Sequence, residues 1–349
     1  MTYNTLLTTD HAGFSPDLEE KLSAGIASGL LRDLHAVLVG RSGRVILERY
    51  EEGNDESWGR PLGFISFRSE TLHDLRSVTK SIVGLLYGIA LDRGLVPEPN
   101  APLLAQFPEY ADLAAHPERA RLKVDHALTM TLGTEWDEQR PYTDPENSEI
   151  AMENAPDRYR FILERPLISE PGEKWIYSGG CVALIGALIE RGTGKSLSEF
   201  ACEALFEPLG ISSFEWLAGK DGKESAASGL RLTARDLHRI GAMILNNGEW
   251  DSRRIISSAW LEDAFQPIVP TGDGLHYGRL WFVGNALTPA LLGNRRWVAG
   301  FGNGGQRLWL MPEADVAVVT FSGNYNAWDA WITPTRVWSE IVLANLERT

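Results

Sequence analysis

The two ends of the chain carry the same signal, and it limits the folds available. Near the N-terminus, residues 35–40 and 44–50 are apolar runs flanking Arg41-Ser42-Gly43. Near the C-terminus, residues 307–311 and 316–321 flank the turn-like Pro312-Glu313-Ala314-Asp315. Apolar runs separated by a few turn residues form hairpins. The chain between them reads as mostly helical, with spans at about 78–93, 123–131, 180–191, 197–206 and 234–246. The last of these opens on Thr233-Ala-Arg-Asp236, a capping-box pattern. A helix over residues 15–30, with Leu18, Leu22, Ile26 and Leu30 four apart, and another from about 335 to 346 complete the ends. The expected fold is therefore α/β (α+β). An antiparallel sheet domain, residues 1–75 and 215–349, is built from both chain ends and flanked by terminal helices, with a mainly helical domain, 76–214, inserted in it. The cleft between two such domains is the natural place for an active site.

Length and charge narrow the function. At 349 residues the chain can bury a core without disulfide or metal staples, and Cys181 and Cys202 read as small hydrophobes. A net charge of −14 argues against a nucleic-acid or anionic-membrane partner. The start of the chain, Met1 to Asp10, has no basic segment leading into an apolar one, and there is no run of 18 apolar residues. A cytoplasmic location is the expectation, and the oligomeric state is left open.

Several motif-like strings carry no chemistry. Gly192-Thr-Gly-Lys-Ser196 lacks the earlier glycine of a phosphate loop and follows a helix, so Gly192 reads as a helix terminator. Gly300-Phe-Gly-Asn-Gly-Gly305 runs into a strand rather than a helix, which excludes a dinucleotide fingerprint. Seven scattered histidines form no H-x-x-x-H pair, and no G-x-S-x-G elbow occurs. Neither metal nor cofactor is expected.

The chemistry-bearing stretch is Leu75-Arg-Ser77-Val-Thr-Lys80 and the apolar helix that follows it. Positions i and i+3 share a helix face, so the Lys80 amine would sit beside the Ser77 hydroxyl. A lysine whose pKa is lowered by desolvation could take the serine proton. The helix N-terminus would favour a developing oxyanion. Gly84 and Gly88, one turn apart, would let another element pack closely. The spacing alone is weak; its seat at the mouth of a buried helix strengthens it. Two further segments bear on the site. Glu170 to Gly179 places Tyr177 and Ser178 at a helix entrance, where Tyr177 could pass a proton or be only a packed aromatic. Ala299-Gly-Phe-Gly-Asn303-Gly304-Gly305-Gln306 is glycine-rich, so a substrate could lie against a strand edge and an amide there could complete an oxyanion hole.

Together these segments resemble the serine β-lactamase and penicillin-binding-protein superfamily, in its class C-like branch. That branch also holds D-amino-acid peptidases, serine carboxylesterases and hydrolases similar to 6-aminohexanoate-dimer hydrolase. The resemblance spans roughly residues 34–325 and includes Ala127-Leu-Thr-Met-Thr-Leu-Gly133, Gly229-Leu-Arg-Leu-Thr-Ala-Arg-Asp236 and Gly192-Thr-Gly-Lys-Ser196. It implies Ser77 as the acylated nucleophile, Lys80 as the first base and Tyr177 as the tyrosine of the Y-x-N motif. Asn303-Gly304-Gly305 then stands for K-T-G, and the backbone amides of Ser77 and Gln306 form the oxyanion hole. Gly179 replaces the motif's asparagine, and Asn303 replaces its cation. Losing such contacts costs ~2–5 kcal/mol of discrimination, which disfavours β-lactams and D-alanyl peptides and favours a neutral ester or amide.

The expected activity is thus a cofactor-free serine hydrolase of small-molecule esters or amides. The rivals are a β-lactamase or D-amino-acid peptidase, and a non-catalytic acylation-sensing or peptide-binding module. Residues 133–158 carry eight acids, read either as a solvated loop or as a mobile lid favouring a cationic substrate. Most of the 12 tryptophans read as core, with Trp136 and Trp297 the candidates to line a pocket.

Overall fold

The computed structural model describes residues 13–347. The reading of residues 1–10 lies outside the described residues. Eight antiparallel strands form the main sheet: β1 (Leu34–Arg41), β2 (Arg44–Tyr50), β3 (Val269–Pro270), β4 (His276–Tyr277), β5 (Phe282–Thr288), β6 (Leu291–Gly302), β7 (Gln306–Met311) and β8 (Val316–Ser322). Their order is β3-β4-β5-β6-β7-β8-β1-β2, so the two expected hairpins meet where Val37 faces Thr320 and Val39 faces Val318. Ser42 and Gly43 close the β1–β2 turn, both with positive φ.

The inner strands are buried on both faces, which is why they read as continuous apolar runs. Alternation sorts their side chains. Val37, Val39, Trp309 and Val318 pack under helix α1 (Leu18–Ala27) and the C-terminal helical segment, while Ala36, Leu38, Leu308 and Val319 join the main core. Strands β3–β6 were not foreseen: half of β6 is exposed, so the alternating signal is missing there. The C-terminal segment is not one helix but an α turn at Ile332–Arg336, a π turn at Val337–Val342 and a 3-10 turn at Leu343–Asn345.

Helix α2 (Val78–Asp92) is buried from Val78 to Ala90 and lies between the sheet and helix α3 (Gly179–Thr193). A Cβ on Gly88 would come within 2.2 Å of Trp260, whose indole N–H bonds Gly84 O at 3.1 Å. The two glycines thus seat the helix carrying Trp260. Helix α3 ends on Gly194, in the left-handed conformation, rather than on Gly192. Gly192 lies inside the helix and is glycine for lack of space, since a Cβ there would lie 1.9 Å from Leu95 O. The helix expected over 123–131 covers only Val124–Leu128, since Met130 turns left-handed at φ 56°. The span at 197–206 is helical only to Ala201 and then widens into a π turn. Helix α4 (Ala234–Leu245) starts as read, with Thr233 Oγ1 accepting from Asp236 N at 3.1 Å. Among the described residues, no helix is long and apolar enough to cross a membrane.

Candidate active site

Ser77 caps α2 without using its hydroxyl as the cap, which leaves Oγ free. One turn on, Lys80 Nζ donates to Ser77 Oγ at 2.9 Å, to Ala227 O at 3.0 Å and to Glu149 Oε2 at 3.4 Å. Tyr177 enters from the segment before α3, with its ring 5.0 Å from Nζ and its phenol in electrostatic contact with both Ser77 and Lys80. The structure therefore brings Ser77, Lys80 and Tyr177 together.

The electrostatics differ from expectation. Burial works to lower the Lys80 pKa, but the charges of Glu149, Tyr177 and Glu138 outweigh it and hold the ammonium above its ordinary range. Burial pushes the Tyr177 phenol up, aided by Glu138 and Glu149 and opposed by Lys80 and Ser77. The resting site is a lysinium beside a neutral phenol.

Both acids come from the loop noted for its charge. Glu149 is 3% exposed; burial opposes its ionisation, yet Lys80, Ser228 and Glu138 hold its pKa below the usual range. Its Oε1 accepts from Ser228 Oγ at 2.7 Å. Burial and the neighbouring Glu149 push Glu138 up to about 7. The Glu138 carboxyl accepts from Trp136 Nε1 (2.5 Å), Tyr142 Oη (3.0 Å) and Gly179 N. Asp137 and Glu146, by contrast, are exposed and paired with Arg140. The surface-loop reading holds for these two, while Glu138, Glu149 and Glu153 turn inward. Sequence reasoning missed the inward group because a count of acids does not say which of them point in.

Two clefts meet at Ser77. The larger, about 460 Å³, is lined by Glu56, Trp58, Arg76, Tyr142, Glu149 and Asn303 among others. The smaller, about 340 Å³, is mainly aromatic, with Trp175, Tyr177, Phe282 and Phe301 in its wall beside Arg307. Asn303 borders both, and its amide exchanges hydrogen bonds with Asn326 at 2.8 Å each. Arg307 donates to Gly302 O and Gln306 O, both at 2.8 Å, and has no acid partner among the described residues. Burial lowers its pKa to about 10.

Other candidates lie elsewhere. Trp136 packs on Gly180 of α3, and Trp297 packs on Trp309 on the far side of the sheet; neither lines a cleft. The aromatics that do line one follow weaker sequence signals. Gly304 and Gly305 form the β6–β7 turn at φ 86° and 99° and also line neither cleft. Gly179 is walled in by Glu149 and Ala227.

Gln306 follows the turn made by Gly304 and Gly305. It sits on β7, an interior strand, opposite Gly302, and its side chain is spent on Ser322 and Asn303 backbone. Gly302 O accepts from Gly305 N at 3.3 Å and so faces β7, and alternation turns the Phe301 amide to the opposite edge. That edge is open, because β5 begins at Phe282, opposite Ala299. The open edge borders the aromatic cleft with Ser77. Gly300 and Gly302 are glycines because α2 and the segment leading into it press on them: a Cβ would lie 2.9 Å from Ser81 Oγ and 2.4 Å from Leu75 O, respectively.

Away from the clefts, buried His35, Asp55 and His73 bring three potential metal ligands within 4.8 Å of one another, although no helical spacing announced them. Their hydrogen bonds go to one another and to Asp74 and Tyr325. His73 Nδ1 reaches Asp74 O (3.0 Å), His73 Nε2 faces His35 Nδ1 (2.9 Å), and Tyr325 Oη donates to Asp55 Oδ1 (2.8 Å).

Comparison with known proteins agrees with this geometry. The β-lactamase family profile matches residues 27–333. The 6-aminohexanoate-dimer hydrolase of Paenarthrobacter ureafaciens is 27% identical over 350 residues, covering 93% of this chain and 78% of that one. Esterase EstB of Burkholderia gladioli is 28% identical over 59% of this chain and 54% of its own. The fold superposes on EstCE1, a hydrolase with promiscuous acyltransferase activity, with a TM-score of 0.69 at 17% identity, covering 92% of this chain and 97% of that one. With most of its length matched and with the Ser77–Lys80 pair at the mouth of a buried helix, the chain belongs to the β-lactamase family.

Proposed function

We propose that this protein is a serine hydrolase that cleaves an ester or amide through an acyl-enzyme, working in the cleft between the sheet unit (1–75, 215–349) and the helical unit (76–214). The observation that carries the reading is the 2.9 Å bond between Lys80 Nζ and Ser77 Oγ, with the Tyr177 ring 5.0 Å from that nitrogen. Once Lys80 has lost one proton, Ser77 can pass its own across that bond as Oγ attacks the carbonyl carbon. The negative oxygen that forms is stabilised by the amides of Ser77 and Phe301, assisted by the positive end of α2. Collapse of the intermediate expels the alcohol or amine, which takes its proton from Tyr177, itself reprotonated by Lys80. Water then attacks the acyl-enzyme by the same proton path in reverse.

The likeness to 6-aminohexanoate-dimer hydrolase and esterase EstB supports an ester or amide substrate over a β-lactam. So does the neutral Asn303 where the family pattern has a cation. The test is hydrolysis of a short p-nitrophenyl ester by wild type and Ser77→Ala, with intact mass recorded alongside. Turnover and a transient acyl adduct in wild type only are expected. Turnover that persists in Ser77→Ala would overturn the assignment. A permanent adduct without turnover would favour the acylation-sensing rival.

A further inference from the structure

Gly179 is glycine for a reason of space. It opens α3 with ordinary backbone angles, yet a Cβ there would lie 2.5 Å from Glu149 Oε2 and 3.1 Å from Ala227 Cβ. The room that a side chain at this position needs is taken by a carboxylate from 30 residues earlier in the chain. Glu149 is fixed there by its own helix, Ser148–Asn154, whose cap Asn147 accepts from Glu149 N at 3.0 Å. A buried carboxylate persists only with partners, and Glu149 has Lys80 Nζ at 3.4 Å and Ser228 Oγ at 2.7 Å among its own.

We propose that Glu149 is the positioning residue of this site: its carboxylate fills the space that Gly179 leaves open, pins Lys80 beside Ser77 and governs when that lysine releases its proton. At Gly179 the structure then puts a lysine-holding carboxylate in the space where the family pattern has an asparagine side chain. Each group facing the pair has a place in this account. Ser77 and Tyr177 face Lys80. Ser228 and Glu138 face Glu149, with Tyr142 on Glu138, and Glu153 follows one turn on in the same helix. Glu138 is pushed up while Glu149 is held down, so Glu149 is the carboxyl that ionises first beside Lys80.

The proposal rests on Ser77 as nucleophile and Lys80 as its base, and the test separates the two. The pH profile of kcat/KM for the p-nitrophenyl ester is recorded for wild type and Glu149→Gln. Removing the carboxylate should let Lys80 lose its proton more easily, moving the rising limb to lower pH by about one unit, which is about tenfold in relative rate on that limb. A lower plateau with an unmoved limb is what a merely structural residue would give, and it overturns the proposal. The second arm is rescue. Gly179→Asn should lose about 100-fold or more in kcat/KM or fail to fold, and adding Glu149→Ala should restore folding and at least about tenfold of activity. A double variant no better than Gly179→Asn overturns the shared-space argument. Activity surviving in Ser77→Ala removes the premise instead.

Discussion

Gly302→Ala tests whether the edge of β6 is set by its contact with the segment leading into α2. The added methyl would lie 2.4 Å from Leu75 O, where ordinary contact begins at 3.4 Å, so strand and helix must part by about 1 Å. Leu75 O is backbone, two residues before Ser77, and no rotamer change relieves the clash. Overpacking of this kind costs ~1–3 kcal/mol of stability. A 1 Å displacement between the Phe301 amide and Ser77 Oγ costs on the order of 100-fold in rate. Gly88→Ala is the control. Its methyl would meet Trp260 at 2.2 Å, so it overpacks the same helix three turns further on. Thermal unfolding and kcat/KM for a p-nitrophenyl ester are measured on all three proteins. Both variants should melt lower than wild type. Gly302→Ala should lose about 100-fold in kcat/KM, while Gly88→Ala stays within about threefold. Full activity in Gly302→Ala, or an equal loss in Gly88→Ala, would refute the argument that this contact sets the oxyanion geometry.

Two further outcomes follow from burial and shape. His238 is buried and its pKa falls to about 4, so the folded state binds fewer protons than the unfolded state below the ordinary 6.5. The stability from keeping it neutral is complete above about pH 6.5 and is lost as pH falls toward 4. In urea unfolding, the advantage of wild type over His238→Gln should therefore shrink between pH 7.5 and pH 4.5, and a difference that does not change with pH contradicts this. Phe282 stacks on Phe301 at 4.5 Å in the aromatic cleft. Phe282→Ala should shift the p-nitrophenyl preference from butanoate toward octanoate by about tenfold, read as the ratio of kcat/KM values, since each methylene in an apolar pocket is worth ~1–3 kcal/mol. An unchanged ratio would place the acyl chain in the other cleft.

What was legible in the sequence follows the range of the interactions involved. Ser77 and Lys80 are set by one helical turn, and the hairpins by turns of a few residues, so local spacing announces them. The glycine-rich edge is harder to read, for a physical reason. A string of glycines shows that something passes close, but not whether a helix, a turn or a substrate does so. In the folded chain Gly300 and Gly302 face α2 and the segment leading into it, while Gly304 and Gly305 make the turn, and only the register of β6 against β5 and β7 separates the two uses. The lysine's charge state was misjudged likewise: desolvation can be read from an apolar helix, but the carboxylate that outweighs it arrives from 69 residues away.

The departure from the family pattern at Gly179 shares this logic. Read along the chain, it is the deletion of an amide. Read in space, the vacancy is filled from another element: the Glu149 carboxylate stands 2.5 Å from where a Gly179 side chain would begin. A contact to the lysine does not depend on which helix or loop delivers it, because the energy of a buried pair depends on the distance and burial of its atoms and not on their separation in sequence. Substituting Gly179 back toward the motif without removing Glu149 should therefore damage the enzyme, although by alignment alone it would look like a repair.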